Sequence, residues 1–306
     1  MPSVVITGGS GLVGTALSKL LVSQGFSVTI LSRDPAAHKS QHPDVRYAAW
    51  DIPDQRISEE AIGGAKYIIH LAGAGVADKR WTDKRKKEIQ ESRVKSSELL
   101  IKALTQIPNQ VEAVVSASAI GWYPESMGIQ HVETDPPDPG FLGETCRLWE
   151  QHIQPVTAMG KRLVILRAGI ALSNDGGAFP EFKKPVRFGI AAILGSGRQI
   201  ISWIHLDDLC RLYLEAMINP QWAGIYNAVA PQPVTNKTMM IELGNRMKKN
   251  FYISLPVPGF VLRLLLGEKS TEVLKSNNVS CEKIKKQGFQ FIYPTLDAAL
   301  RDLLHR

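Results

Sequence analysis

An α/β fold, with a doubly wound parallel sheet and a smaller C-terminal substrate lobe, is predicted by three observations. Short apolar runs alternate with amphipathic helical patterns from the first residues. A glycine-rich loop joins the first run to the first helix. After Arg167 the alternation gives way to a segment rich in glycine and then proline.

The runs suited to buried strands are Val4 to Thr7, Ser27 to Leu31, Val45 to Ala49, Tyr67 to Leu71, Ala113 to Ser116 and Leu163 to Leu166. A helix is predicted over Leu12 to Gln24, with Leu17, Leu20 and Leu21 on one side. A longer one runs from Thr82 to Gln106 and is ended by Pro108, its apolar side marked by Ile89, Val94, Leu99, Leu100 and Leu104. A third spans Gly143 to Met159, with Pro155 as a kink or break. Later come a strand from Ile200 to Leu206, a helix from Asp207 or Asp208 through Met217, and a strand over Ile225 to Val229. Asp207 reads as a helix N-cap and His205 as a core histidine. Phe289 to Ile292 reads as an extended piece. Residues 1–172, completed by about 200–230, form the core in this reading. Residues 173–199 and 231–306 form the lobe.

A chain of 306 residues with 44% hydrophobic content can bury a core without disulfide or metal staples. Cys146, Cys210 and Cys281 are odd in number and lack zinc-ligand spacing, so no metal and a reduced, cytoplasmic compartment are expected. The first apolar run leads into a glycine loop, not a cleavage site. The stretch Phe260 to Leu266 is too short to span a bilayer and carries Arg263. Net charge is +7, concentrated in Lys79 to Lys87 and in Lys283, Lys285 and Lys286. No nucleic-acid module accompanies these clusters, which read as solvated helix ends adding positive potential near an anionic cofactor. The expected partner is a small-molecule substrate of unknown identity, with neither nucleic acid nor membrane; a homodimer stays open.

Thr7-Gly8-Gly9-Ser10-Gly11-Leu12-Val13-Gly14 satisfies both GxxGxxG and GxGxxG, after a buried strand and at the start of a helix. Glycine lets a pyrophosphate approach the backbone and the helix N-terminus, where N–H groups and the dipole favour anions. Gly8, Ser10, Gly11, Leu12, Val13 and Gly14 are therefore the first candidate cofactor contacts. The second strand ends in Ser32-Arg33 rather than in an acidic residue. An arginine fork there suits a 2′-phosphate, so the expected cofactor is NADP(H). Asp51, after the third strand, stands where a side chain can meet an adenine, and equally suits a turn. Leu71, Ala72 and Gly73, after the fourth strand, are small enough to let a ribose lie against the backbone.

These motifs resemble the extended short-chain dehydrogenase/reductases of the NAD-dependent epimerase/dehydratase superfamily. The TGxxGxxG loop and His70-Leu71-Ala72-Gly73 carry the general likeness. Arg80-Trp81-Thr82, Glu91-Ser92-Arg93, Ser118 to Tyr123, Leu166 to Leu172, Gly195 to Gln199, Ser202 to His205 and Asn227 to Pro231 narrow it. They resemble an atypical branch, the epimerase family proteins of family 39U, whose bacterial members are often labelled cell-division-inhibitor-like. Pro256-Val257-Pro258, Leu266-Gly267-Glu268 and Gly288 to Phe291 echo its C-terminal domain.

The resemblance implies NADP(H) binding, with Ser32 and Arg33 on the 2′-phosphate and Leu71 and Ala72 at the ribose. It brings Glu88 and Arg93 of the long helix to the cofactor and Arg167 to the nicotinamide side. It also exposes a departure. Active members use a Tyr-x-x-x-Lys pair on the fifth helix, and no tyrosine here has lysine four residues later. Alignment on Glu150 puts Leu142 and Cys146 at those positions. Ser118 matches a substrate-binding hydroxyl, and Tyr123 is the phenol near it, with a pKa that Arg167 could lower. The expected function is an oxidoreductase or epimerase acting on a small carbonyl or sugar-like substrate. The rival reading is a non-catalytic NADP(H) sensor or docking protein.

Overall fold

In the computed structural model, which describes residues 1–38, 42–126, 128–249 and 251–305, an eight-stranded sheet organises the chain. Its strands are β1 (Ser3–Thr7), β2 (Ser27–Ser32), β3 (Val45–Asp51), β4 (Arg56–Ile57), β5 (Tyr67–His70), β6 (Ala113–Ala119), β7 (Arg162–Ala168) and, from later in the chain, Gly224–Ala228. Shorter strands are β8 (Ile170–Leu172), β9 (Ile190–Leu194), β10 (Ile200–Ile201) and β11 (Trp203–His205), so the last sheet strand is β12; β13 (Val234–Thr235) and β14 (Ile253–Val257) follow. The order in the sheet is β12-β7-β6-β5-β1-β2-β3-β4, parallel except for β4. β1 lies between β2 and β5, so the chain reverses its direction of winding there. A crevice at such a switch point, outside the carboxyl ends of the strands, is where open α/β sheets take ligands.

The central strands are apolar on both faces because helices cover both. Val4, Ile6, Val28, Ile30, Ile69, Val115 and Val164 pack on one side with α1 (Leu12–Ser23) and α6 (Leu206–Ile218). Val5, Leu31, Ile68, Val114 and Ile165 pack on the other with α3 (Asp83–Gln106). Burying each such side chain contributes about 1.5–3 kcal/mol. The remaining helices are α2 (Glu59–Gly63), α4 (Phe141–Ile153), α5 (Ala178–Arg187), α7 (Asn236–Lys248), α8 (Gly259–Leu266), α9 (Lys269–Leu274), α10 (Glu282–Lys286) and α11 (Leu296–His305). A further apolar cluster joins α5, α7 and α11 around Phe179, Val186, Met239, Leu243 and Leu300.

The helix expected over Gly143 to Met159 breaks at Pro155 as expected: α4 ends at Ile153 and a separate 3₁₀ turn, Gln154–Met159, follows, because Pro155 cannot donate to the helical ladder. Two sequence expectations are corrected. The strand placed over Ile200 to Leu206 divides at Ser202, whose hydroxyl donates to Asn277 O and accepts from Val279 N. β10 then pairs with β13 and β11 with β8. The N-cap of α6 is His205, not Asp207: its Nδ1 accepts from Asp207 N at 3.1 Å. Phe289 to Ile292 joins no sheet; Phe289 and Phe291 pack edge to face, and Ile292 N donates to Asp208.

Candidate functional site

Thr7, the last residue of β1, ties two turns together. Its Oγ1 accepts from Leu71 N and Ala72 N at 3.1 and 3.2 Å and lies 2.8 Å from His70 Nδ1. With two N–H groups on the oxygen, the hydroxyl proton goes to Nδ1, leaving the imidazole proton on Nε2, which faces Ser97 Oγ at 3.2 Å. Burial holds His70 neutral, its pKa down at about 3 with Arg93 adding to the effect. The turn after β1 and the turn after β5 are thus one rigid unit.

The four glycines of the first turn differ in what surrounds them. A Cβ on Gly8 would meet Leu71 C at 2.9 Å, and Gly8 also has φ +69°. One on Gly9 would meet the Ile30 side chain at 2.7 Å, and one on Gly14 the Gly9 Cα at 2.5 Å. Packing therefore demands glycine at all three. At Gly11 the nearest atom is Gly8 O at 3.4 Å, and φ is −78°. Among the described residues nothing requires glycine there. Gly11 is the exposed N-cap of α1, no side chain caps that helix, and its first turn holds no acid. Ser10 is exposed beside it; Leu12 is half-buried under Gly176 and Gly177, and Val13 is half-buried.

At the end of β2, Ser32 is half-buried and Arg33 exposed. Ser32 Oγ accepts from Asp34 N at 3.2 Å, and Asp34 spends its carboxylate on capping the turn Pro35–Ala37. Asp51 accepts from Asp54 N at 3.0 Å and lies 3.7 Å from Arg56, so it shapes its own turn. In the β5 turn, Leu71 is half-buried, Ala72 buried and Gly73 exposed. A Cβ on Gly73 would strike Arg93 Cζ at 2.9 Å. Arg93 is buried on α3, donates through Nη1 to Ala74 O and Ile89 O, and sits 4.8 Å above the Trp149 ring. It has no carboxylate partner among the described residues. Glu88 is exposed and paired with Arg85 at 2.8 Å.

Ser118, Arg167 and Asn227 stand opposite one another on β6, β7 and β12. A buried network links them. Ser118 Oγ donates to Glu150 Oε1 at 2.6 Å. Arg167 forks onto both oxygens of Glu150, and its Nη1 donates to Tyr123 Oη at 3.0 Å and to Glu133 O. Tyr123 donates to Asn227 Oδ1 at 2.6 Å, while Asn227 N donates to Glu133 Oε1. The Arg167 guanidinium stacks 3.7 Å from the Trp122 ring. Arg167 therefore spends its donors inside the protein. The expected lowering of the Tyr123 pKa is reversed: burial pushes it up to about 12, more than Arg167 and Asn227 pull it down. Cys146 is buried, its thiol within 3.6 Å of Ala119 O, and burial pushes its pKa up to about 11.

Sequence reasoning passed over Glu133, Glu150 as a partner of Arg167, and Asn227. The position of Asn227 near the end of β12 was an available signal; its pairing with Tyr123 and Glu133, 104 and 94 positions away, was not. His205, Asp207 and Asp302 bring ligand-type atoms within 4.8 Å of one another. His205 Nδ1 is engaged in capping and Nε2 faces Asp302 at 3.3 Å, so the set works as a tie between α6 and α11. A cavity of about 470 Å³ lies at the β7–β12 edge, lined by Glu133, Gln154, Arg162 and Lys283, away from the glycine turn. No helix among the described residues is long and apolar enough to cross a membrane.

Comparison with known proteins fits this architecture. The model of the NAD dependent epimerase/dehydratase family matches residues 4–169, and that of a domain of unknown function, DUF1731, matches residues 257–303. The epimerase family protein SSP1921 of Staphylococcus saprophyticus is 36% identical over all of both chains. The chloroplastic SDR39U1 homolog of Arabidopsis thaliana is 32% identical, over 99% of this chain and 86% of its own. The crystal structure of human epimerase family protein SDR39U1 with NADPH superposes with a TM-score of 0.86 at 27% identity, over 99% of each chain. A doubly wound sheet, a glycine turn at its switch point and these matches agree: the chain belongs to the NAD dependent epimerase/dehydratase family.

Proposed function

We propose that the protein binds NADP(H) across the carboxyl edge of β1, β2 and β5. The carrying observation is Gly11, whose missing side chain serves nothing in the protein and opens the uncapped N-terminus of α1. Gly8, Ser10, Gly11, Leu12, Val13 and Gly14 take the pyrophosphate through backbone N–H groups and the helix dipole. Ser32 and Arg33 take the 2′-phosphate, and Asp51 borders the adenine. Leu71, Ala72 and Gly73 back the ribose, with Arg93 behind them and Glu88 at the rim. The human relative crystallised with NADPH supports this choice of dinucleotide.

The reaction class that fits is oxidoreduction or epimerisation of a small carbonyl or sugar-like molecule. The dinucleotide supplies hydride exchange with a substrate carbon. The chain must supply the proton, and there it is poorly equipped. Leu142 and Cys146 replace the family's acid–base pair. Ser118 is held by Glu150, and Tyr123 is buried with a raised pKa. Arg167 acts behind them as a positioning residue. Turnover through Ser118 and Tyr123 is therefore slow. These same observations favour the second reading, a sensor that binds NADP(H) without turning over.

Gly11→Ala tests the site. It should fold with the parent's stability yet bind NADPH at least about tenfold more weakly, because the methyl occupies the anion's approach. Unchanged affinity in a folded variant would remove the basis for the assignment. A carbonyl-substrate screen with NADPH then separates enzyme from sensor.

A further inference from the structure

We propose that the face built from Phe188, β14 and α8 is an interfacial docking surface for an anionic phospholipid bilayer. Phe188, Phe251, Ile253, Phe260, Leu264 and Leu265 are each between 68% and 86% exposed. They are not scattered. Ile253 N donates to Gly189 O, and β14 pairs with β9 along its whole length. The start of α8 and the end of β9 meet at Leu274, where Cβ atoms on Gly259 and Gly195 would both touch that side chain. The fold so brings these exposed apolar side chains onto neighbouring elements of the lobe, and exposed apolar surface gathered in this way marks interaction sites.

The charge around the patch selects the occupant. Residues 182–206 and 243–267 contain no aspartate or glutamate. Arg187, Lys249 and Arg263 are exposed there and have no ion-pair partner among the described residues. A second copy docking by a two-fold axis would set this patch against itself, with no acid in these segments to pair the cations. An acidic protein helix would need a groove, yet these phenylalanines and leucines project outward. Protruding aromatic and leucyl side chains beside unpaired cations suit the headgroup boundary of an anionic leaflet. The expectation of no membrane partner rested on the absence of a spanning stretch, and α8 needs only to lie in the interface.

Flotation of the full chain with vesicles tests the proposal, comparing phosphatidylcholine alone with an equal mixture of phosphatidylcholine and phosphatidylglycerol. The parent should float with the mixed vesicles and at least about tenfold less with the neutral ones. The doubly substituted Phe260→Ser, Leu264→Ser chain should lose flotation while keeping its circular dichroism and thermal midpoint. Lys249→Glu with Arg263→Glu should lose it equally, which separates lipid electrostatics from general stickiness. A parent that ignores mixed vesicles overturns the proposal in favour of an acidic protein partner. A concentration-dependent dimer abolished by the Phe260→Ser, Leu264→Ser change overturns it in favour of self-association.

Discussion

Arg167 and Glu150 meet fork to fork in the core: Nε lies 2.8 Å from Oε1 and Nη2 lies 2.9 Å from Oε2, with neither side chain more than 7% exposed. A pair this buried is costly to break from one side, because the partner is left as an uncompensated charge. Glu150→Gln should therefore destabilise by about 3–5 kcal/mol. Ser118→Ala, which removes one hydroxyl from the same carboxylate, should cost about 1 kcal/mol. Urea unfolding measures both. Equal and small losses would show that the pair does not hold β7 to α4.

Tyr123 joins that network to β12. Tyr123→Phe leaves Asn227 Oδ1 without its donor and should cost about 1–3 kcal/mol. NADPH affinity should stay as in the parent, since the hydroxyl is spent inside the protein. NADPH oxidation, where a substrate is found, should fall to background. Robust turnover by Tyr123→Phe would mean that the proton comes from another group.

His70 makes stability depend on pH. Its folded pKa of about 3 lies below the ordinary value of 6.5, because burial, with Arg93, disfavours the imidazolium. The unfolded chain therefore takes up this proton first. The contribution is complete above pH 6.5 and is lost as pH falls from 6.5 towards 3, on the order of 5 kcal/mol in all. His70→Gln should show a shallower fall in thermal midpoint across that window. Parallel curves for parent and variant would exclude His70 as a source of the acid sensitivity.

The sequence disclosed the sheet where the physics is local. β1, β5 and β7 are near-continuous apolar runs, as strands buried on both faces must be. The glycine turn was legible because its spacing encodes close approach. Less legible was the division of labour within it: only the packing shows that Gly8, Gly9 and Gly14 serve the protein and Gly11 does not. The break at Ser202 was hidden because both halves read as one apolar run, and what parts them is a hydroxyl bonded to residues 75 and 77 positions away. The Tyr123 environment was misjudged for a related reason. Arg167 is close, as expected, but proximity to a cation says nothing of burial, and burial decides the sign of the shift.

The central claim, an NADP(H) site with Arg33 at its selective end, is tested most directly by calorimetric titration of parent and Arg33→Ala with NADPH and NADH. The parent should bind NADPH more tightly than NADH. Arg33→Ala should lose about 1.5–3 kcal/mol towards NADPH, the worth of a charge-assisted contact to the 2′-phosphate, and almost nothing towards NADH. A parent that binds NADH more tightly, or a variant that weakens both dinucleotides equally, would contradict the assignment.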